Sequence, residues 1–292
     1  MTTVRSLLSQ TQLPKTEARM LLAHLFEVHL QLPKSALLSR DDMELSHPLV
    51  TEWASLESRR MQGEPIAYLI GTRSFHAIDL RVGPGVLIPR PETELLVEIG
   101  LSELQQRHCL GFAGTVGTLP RVLDLGTGSG AIALALAHAY PKARYIATDA
   151  SPEALAIAKQ NAVLLGLTDR ISFALGDWYS ALKLSDGSNT LFDLILSNPP
   201  YIVAGDPHLQ QGDLRFEPAS ALTDHASGLS CLETIIKGAP AHLKPGGLIA
   251  VEHGFDQSDA VQAMLLSAGF EAITPHRDLA GHWRAASARK PR

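Results

Sequence analysis

Asn198-Pro199-Pro200-Tyr201 is the segment whose residue types and order point most directly to chemistry. The Asn198 side-chain oxygen and the Pro199 carbonyl can each accept one N–H of an –NH2 group, and the prolines stiffen the turn that aims them. Tyr201 adds an apolar face for a planar target. An amide nitrogen is a poor nucleophile because its lone pair is delocalised into the carbonyl, so a site acting on it must point that lone pair at an electrophilic methyl. Orientation and complementarity to a developing ammonium-like centre then supply the catalysis, without a strong general base. A double proline after a strand can be only a rigid turn; Asn before it and Tyr after it favour the chemical reading. Asn198, Pro199 and Tyr201 are therefore the candidate catalytic residues, with Pro200 beside them in the substrate clamp.

Three further groups fall at strand ends. Asp124-Leu-Gly126-Thr127-Gly128-Ser129-Gly130-Ala131 lies between a strand and a helix, where glycines admit a ligand close to the backbone and the helix start offers free N–H groups. The spacing also satisfies a dinucleotide fingerprint. Asp149 stands where a carboxylate meets ribose hydroxyls, which does not choose between a nicotinamide dinucleotide and S-adenosylmethionine, and it could equally cap the next helix. In Gly176-Asp177-Trp178, Asp177 can accept the exocyclic amine of adenine and Trp178 offers a flat wall. Trp178 could instead only cap the core; three adenosine-suited groups at successive strand ends weigh against that.

The elements that must position these residues alternate. Strands are expected at Arg121–Asp124, Ala143–Thr148, Ile171–Leu175, Phe192–Leu196 and Leu248–Val251, the last after a turn at Lys244-Pro-Gly-Gly247. Helices are expected at Ala131–Tyr140, from the Ser151 cap and Pro152 to about Gly166, and at Ser258–Ala268, with a closing strand pair. Such alternation predicts an α/β, doubly wound, mostly parallel sheet. Before it, Ala18, Leu21, Leu22, Leu25 and Val28 recur at helical spacing, as do Leu49, Val50, Trp53 and Leu56 after Pro48, so the start is a small helical core. Ile66 to Arg90 reads as a strand pair or extended connector, which places the boundary near residue 85 and gives domains of 1–85 and 86–292. Gly111, Gly114, Thr115, Gly117 and Thr118 read as a surface loop.

Composition excludes several classes. No long apolar run or secretory start occurs, so a cytoplasmic protein without membrane association is expected. Cys109 and Cys231 lack a paired spacing, and His24/His29 and His276/His282 miss the i, i+4 spacing of helical metal ligands, so no metal is expected. A net charge of −5 gives no general attraction to phosphate backbones, against a direct nucleic-acid substrate.

Together these elements resemble the class I, Rossmann-like S-adenosylmethionine methyltransferases and, more narrowly, the release factor glutamine methyltransferase (HemK/PrmC-like) family. The resemblance runs through Glu17–Ala23, Gly63–Gly71, Val86–Glu94, Asp124–Gly130, Asn198–Tyr201, Arg215–Pro218 and Asp278–Gly281. It implies a seven-stranded sheet, an N-terminal helical substrate-recognition domain with a β-hairpin connector, and S-adenosylmethionine as cofactor. It further implies methyl transfer to the side-chain amide (N5) of the glutamine in the Gly-Gly-Gln loop of class I peptide-chain release factors, by a monomer. By resemblance, Gly126 to Gly130, Asp149, Trp178 and Asn198 line the cofactor site, Asn198 to Tyr201 bind the glutamine, and Ile202 to Thr223 border its channel. Arg107 to Leu119 is a local extension relative to the family. The rival reading is an adenine-N6 methyltransferase acting on DNA or RNA, since an exocyclic amine fits the same acceptors, but such an enzyme usually carries a basic surface. An NAD-dependent oxidoreductase leaves Asn198 to Tyr201 without a role.

Overall fold

The structure, a computed structural model, describes residues 2–109, 119–182 and 191–292. The residues read as a surface loop, Gly111 to Thr118, lie outside these. The chain divides into two compact units, Met1–Thr72 with Gln210–Phe216, and Arg73–Leu209 with Glu217–Arg292.

The first unit is helical. Its α1 (Val4–Gln10) begins at Thr3, which exchanges hydrogen bonds with Ser6 in a capping box. In α2 (Lys15–Leu30), Ala18, Leu21, Leu22 and Leu25 are buried as their spacing predicts, but Val28 is 56% exposed. Phe26, four residues after Leu22, occupies the core in its place, because Val28 has rotated off the stripe. Pro48 sits in the first turn of α3 (His47–Met61), which buries Leu49, Trp53 and Leu56. Trp53 is therefore a packing residue. Arg60 grips Glu17 through two hydrogen bonds of 2.7 and 2.9 Å and reaches Asp213 at 3.1 Å, which ties Gln210–Phe216 into this unit. Residues Ile66–Ile70 form a short α4 ending at Gly71, not the extended chain expected there.

The division after Thr72, rather than near residue 85, has a packing cause. The hairpin of β1 (Thr72–Phe75) and β2 (Ile78–Arg81) buries Phe75, Ile78 and Leu80 with Leu96, Val97 and Leu104 of α5 (Glu94–Cys109). The hairpin thus belongs to the core of the second unit.

That unit continues as β3 (Arg121–Leu125), α6 (Ala131–Ala139), β4 (Arg144–Asp149), α7 (Pro152–Leu164), β5 (Ile171–Leu175) and β6 (Phe192–Ser197). Then come α8 (Ala219–Leu222), α9 (Ser230–His242), β7 (Leu243–Glu252), α10 (Ser258–Ser267), β8 (Glu271–Arg277) and β9 (Trp283–Arg289). The sheet has seven strands in the order β5-β4-β3-β6-β7-β9-β8, parallel through β7 and antiparallel at β9 and β8. Leu194 and Leu196 face one core and Ile195 the other, which Phe192 also joins beyond a register shift, so β6 is buried on both faces. The fold is the α/β, doubly wound, mostly parallel sheet that the alternating pattern predicts, with the seven strands that the resemblance implies.

Two elements differ from expectation. Helix α9 had no clear start signal and holds Pro240 inside it. The Lys244–Gly247 stretch is part of β7, where a register shift against β6 absorbs its irregular backbone. Among the described residues no helix is long and apolar enough to cross a membrane.

Candidate active site

Strands β4 and β5 run outward on one side of β3, and β6 returns to its other side, so the loops after β3 and β6 part and open a crevice. The glycine loop fills one side of it. Gly126 and Gly128 have φ of +69° and +57°, and a Cβ on Gly126 would lie 3.3 Å from the Trp178 ring. The loop is held from several directions. Thr127 N–H donates to the Thr148 carbonyl at 2.9 Å and Gly128 N–H to Asp149 Oδ2 at 2.8 Å. The Thr127 hydroxyl donates to Asp124 Oδ2 at 2.6 Å. Fully buried Asn161 donates to the Ser129 carbonyl at 2.9 Å and exchanges two bonds with the Arg81 backbone, fastening the loop to β2.

Asp149 ends β4 and accepts Ser151 N–H on Oδ1 at 2.9 Å. The cap of α7 is Ser151, whose hydroxyl accepts Ala154 N–H, so Asp149 is not the capping residue. Each of its oxygens keeps a second acceptor position for a ligand hydroxyl. Burial pushes its pKa up, and the backbone N–H groups of Ser151, Gly128 and Ala150 oppose that. Asp124 beneath the loop is pushed up to about 6, first by burial, with the Thr127 and Ala133 hydrogen bonds opposing. Trp178 has a left-handed φ of +44°, packs partly on the second core, and also walls the crevice.

Asn198 follows β6. Its carboxamide nitrogen donates to the Thr93 hydroxyl at 3.1 Å, which leaves Oδ1 available to an incoming donor. Tyr201 is turned into the protein: its hydroxyl donates to Glu252 Oε1 at 3.1 Å and its carbonyl accepts from Gln257 at 3.0 Å. Burial raises the Tyr201 phenol, with the nearby Glu252 carboxyl adding to it.

A cavity of about 460 Å3 joins these parts, a volume typical of small-molecule sites. Gly126, Thr127, Gly128, Ser129, Asp149, Asp177, Trp178, Asn198 and Pro200 all line it. Gly130, Pro199 and Tyr201 do not; Gly130 instead opens α6, where a Cβ would strike Leu134. The lining includes Asp149, Asp177 and Asp224 and, among the described residues, no Lys or Arg. A wall of that sign suits a cationic sulfonium nucleoside and disfavours the pyrophosphate of a dinucleotide. S-adenosylmethionine therefore fits the residues present.

Sequence reasoning missed four supporting residues. Thr93 stood only inside the Val86–Glu94 stretch of the resemblance, with no role of its own. Glu252, 1% exposed at the end of β7, is pushed up to about 7 by burial, with Thr93, Tyr201 and Arg284 opposing. Its signal was a carboxylate at a strand end beside the strand of the acceptor motif. Glu217, buried, pairs with Arg90 and accepts Ile88 N–H at 3.4 Å, joining Pro218 on one wall to the segment of Val86 and Pro89 on another. Asn161, the loop fastener, carried no local signal.

Similarity to known proteins extends along most of the chain. A family profile described as "Methyltransferase domain" matches residues 119–276, and one described as "PrmC N-terminal domain" matches residues 1–71. The release factor glutamine methyltransferase of Bordetella pertussis is 48% identical over 281 residues, covering 96% of this chain and 97% of the relative. That of Neisseria gonorrhoeae is 44% identical, covering 94% and 93%. A solved methyltransferase from Pyrococcus furiosus shares the fold at a TM-score of 0.50 and 16% identity, covering 82% of this chain and 100% of its own. With identity of this order along nearly its whole length, the chain belongs to the release factor glutamine methyltransferase family.

Proposed function

We propose that this enzyme transfers the methyl group of S-adenosylmethionine to the side-chain amide nitrogen of the glutamine in the Gly-Gly-Gln loop of class I peptide-chain release factors. The observation that carries the reading is the engagement of the Asn198 carboxamide nitrogen by Thr93, in a cavity wall continuous with the glycine loop and Asp149. With Nδ2 occupied, Asn198 offers an acceptor, and the Pro199 carbonyl is the second acceptor for an –NH2 group.

When bound, S-adenosylmethionine supplies an electrophilic methyl on a sulfonium. Asp149 holds the ribose hydroxyls, Trp178 and Asp177 flank the adenine, and the Gly126 to Gly130 loop lets the backbone approach the remainder. Asn198 and Pro199 orient the glutamine nitrogen and favour the positive charge that develops on it, which removes the need for prior deprotonation. Tyr201 supports the clamp from behind through Glu252. The helical unit contributes to recognition of the release factor, and the activity belongs in the cytoplasm, where termination occurs.

Mass spectrometry of a release factor after incubation with enzyme and isotopically labelled cofactor tests the reading. A labelled methyl on the loop glutamine is expected. Label in duplex DNA or RNA adenine, and none in the release factor, would establish the rival instead.

A further inference from the structure

Gln257 is the N-cap of α10, yet its side chain reaches away to Tyr201, Gly228 and Gly254. Nε2 donates to the Tyr201 carbonyl at 3.0 Å and to the Gly228 carbonyl at 3.3 Å, while Oε1 accepts Gly254 N–H at 2.8 Å. These partners fix the orientation of the amide, since two carbonyls need a donor and an N–H needs an acceptor. Gly228 is shaped for the same contact. Its φ is +79°, and a Cβ there would strike the Tyr201 carbonyl oxygen and come within 2.9 Å of Gln257 Nε2.

Tyr201 is the last residue of the clamp motif. Pro199 and Pro200 have no N–H, so neither can be tethered as a donor, and the Pro199 carbonyl between them is aimed by what holds the two ends of the turn. At the start, Asn198 is held by the Thr93 hydroxyl, 3.1 Å away. At the end, Tyr201 is held by Glu252 through its hydroxyl and by Gln257 through its carbonyl. Only the second of these acts on the backbone of the turn. It also joins the turn to a wall of the cavity: Ile202 and Ala204 N–H donate to the Leu222 and Ala226 carbonyls at 3.0 Å each, and the wall residue Asp224 accepts Gly228 N–H at 2.9 Å.

We infer that Gln257 is a positioning residue for methyl transfer: through the Tyr201 carbonyl it fixes the far end of the clamp, and with it the direction of the Pro199 carbonyl that orients the target nitrogen. This rests on the glutamine reading above. The nitrogen has to be aimed only for the transfer itself, so the effect falls on kcat. The glycine loop and Asp149 are tied by separate bonds, so cofactor affinity is independent of Gln257.

The test is steady-state methylation of a release factor with isotopically labelled S-adenosylmethionine, together with calorimetric binding of S-adenosylhomocysteine. Gln257→Glu keeps the size of the side chain and an acceptor for Gly254, but sets an oxygen where two carbonyls need a donor. Its kcat should fall about 10- to 100-fold. KM for the release factor and the S-adenosylhomocysteine dissociation constant should each stay within about twofold of wild type. Gln257→Met, of similar length and without a donor, should behave alike and carries the test if the first variant fails to fold. Both acceptors of the clamp act as a unit, so Gln257→Glu added to Asn198→Ala should lower kcat by no more than about threefold further. A fall in kcat of less than about tenfold in a folded Gln257 variant overturns the inference. So does a loss that appears in KM or in S-adenosylhomocysteine affinity, a double variant that shows the full product of the two losses, or failure of both Gln257 variants to fold, since each makes the residue a loop staple only. Wild-type enzyme that leaves the loop glutamine unlabelled removes the glutamine reading instead, and this inference with it.

Discussion

The N–H of Gly128 donates to Asp149 Oδ2 across 2.8 Å, so the loop after β3 and the end of β4 are one unit before any ligand arrives. Asp149 therefore shapes the glycine loop as well as offering acceptors to a ribose.

Asp149→Ala removes both effects. Charge-assisted hydrogen bonds contribute about 1.5–3 kcal/mol each, so the dissociation constant for S-adenosylhomocysteine should rise about 10- to 100-fold. Calorimetry measures it directly. An unchanged constant would contradict the ribose role.

Asn198→Ala deletes the acceptor that orients the target nitrogen. By analogy with the loss of one preorganised charge-stabilising group, turnover of release factor should fall about 100- to 1,000-fold. Cofactor affinity should change far less, because the glycine loop and Asp149 are held by other bonds. Near-normal kcat in this variant would remove the clamp.

Gly126→Ala and Gly128→Ala separate strain from contact. Both positions have left-handed backbone, where a Cβ costs about 1–2 kcal/mol. Only at Gly126 does the added carbon also press on Trp178, while Gly128 faces open space. Gly126→Ala should therefore weaken cofactor binding more than Gly128→Ala and should shift the Trp178 fluorescence. Equal effects in the two variants would show that Trp178 does not wall the adenine.

The sequence made the crevice legible because its parts are local. Strand, glycine turn and helix cap are encoded within a few residues, as Asp124 to Ala131 and Ser151 to Glu153 illustrate. Asn198 was legible because its neighbours constrain it. Thr93 and Glu252 were not, since their meaning depends on a return of the chain: Thr93 meets Asn198 across 105 positions and Tyr201 meets Glu252 across 51. Tyr201 itself was read as a face toward the target, yet its hydroxyl turns inward to Glu252, because the same residue type serves as wall or anchor according to what lies behind it. The division into compact units falls after Thr72 and not near residue 85 for a related reason: turn residues mark where the hairpin bends, but burial of Phe75, Ile78 and Leu80 decides which core owns it.

Asp124 makes stability depend on pH with an unusual sign. Burial holds its folded pKa at about 6, above the unfolded value of 3.8. Between those values the folded chain keeps a proton that the unfolded chain has released, so stability falls as pH rises through this window and levels off above it. Each pKa unit is worth about 1.4 kcal/mol, so the cost at neutral pH approaches about 3 kcal/mol. Asp124→Asn removes the buried charge yet keeps an oxygen for Thr127 and Ala133, which now bond to Oδ2. It should be more stable than wild type by about 1–3 kcal/mol at pH 8, with the difference vanishing below about pH 4. Glu252 has the same sign but is present in both proteins, so it cancels in the comparison. Denaturant titrations at pH 4 and pH 8 measure the two differences, and an Asp124→Asn variant no more stable at pH 8 than at pH 4, relative to wild type, would show that Asp124 carries no such buried charge.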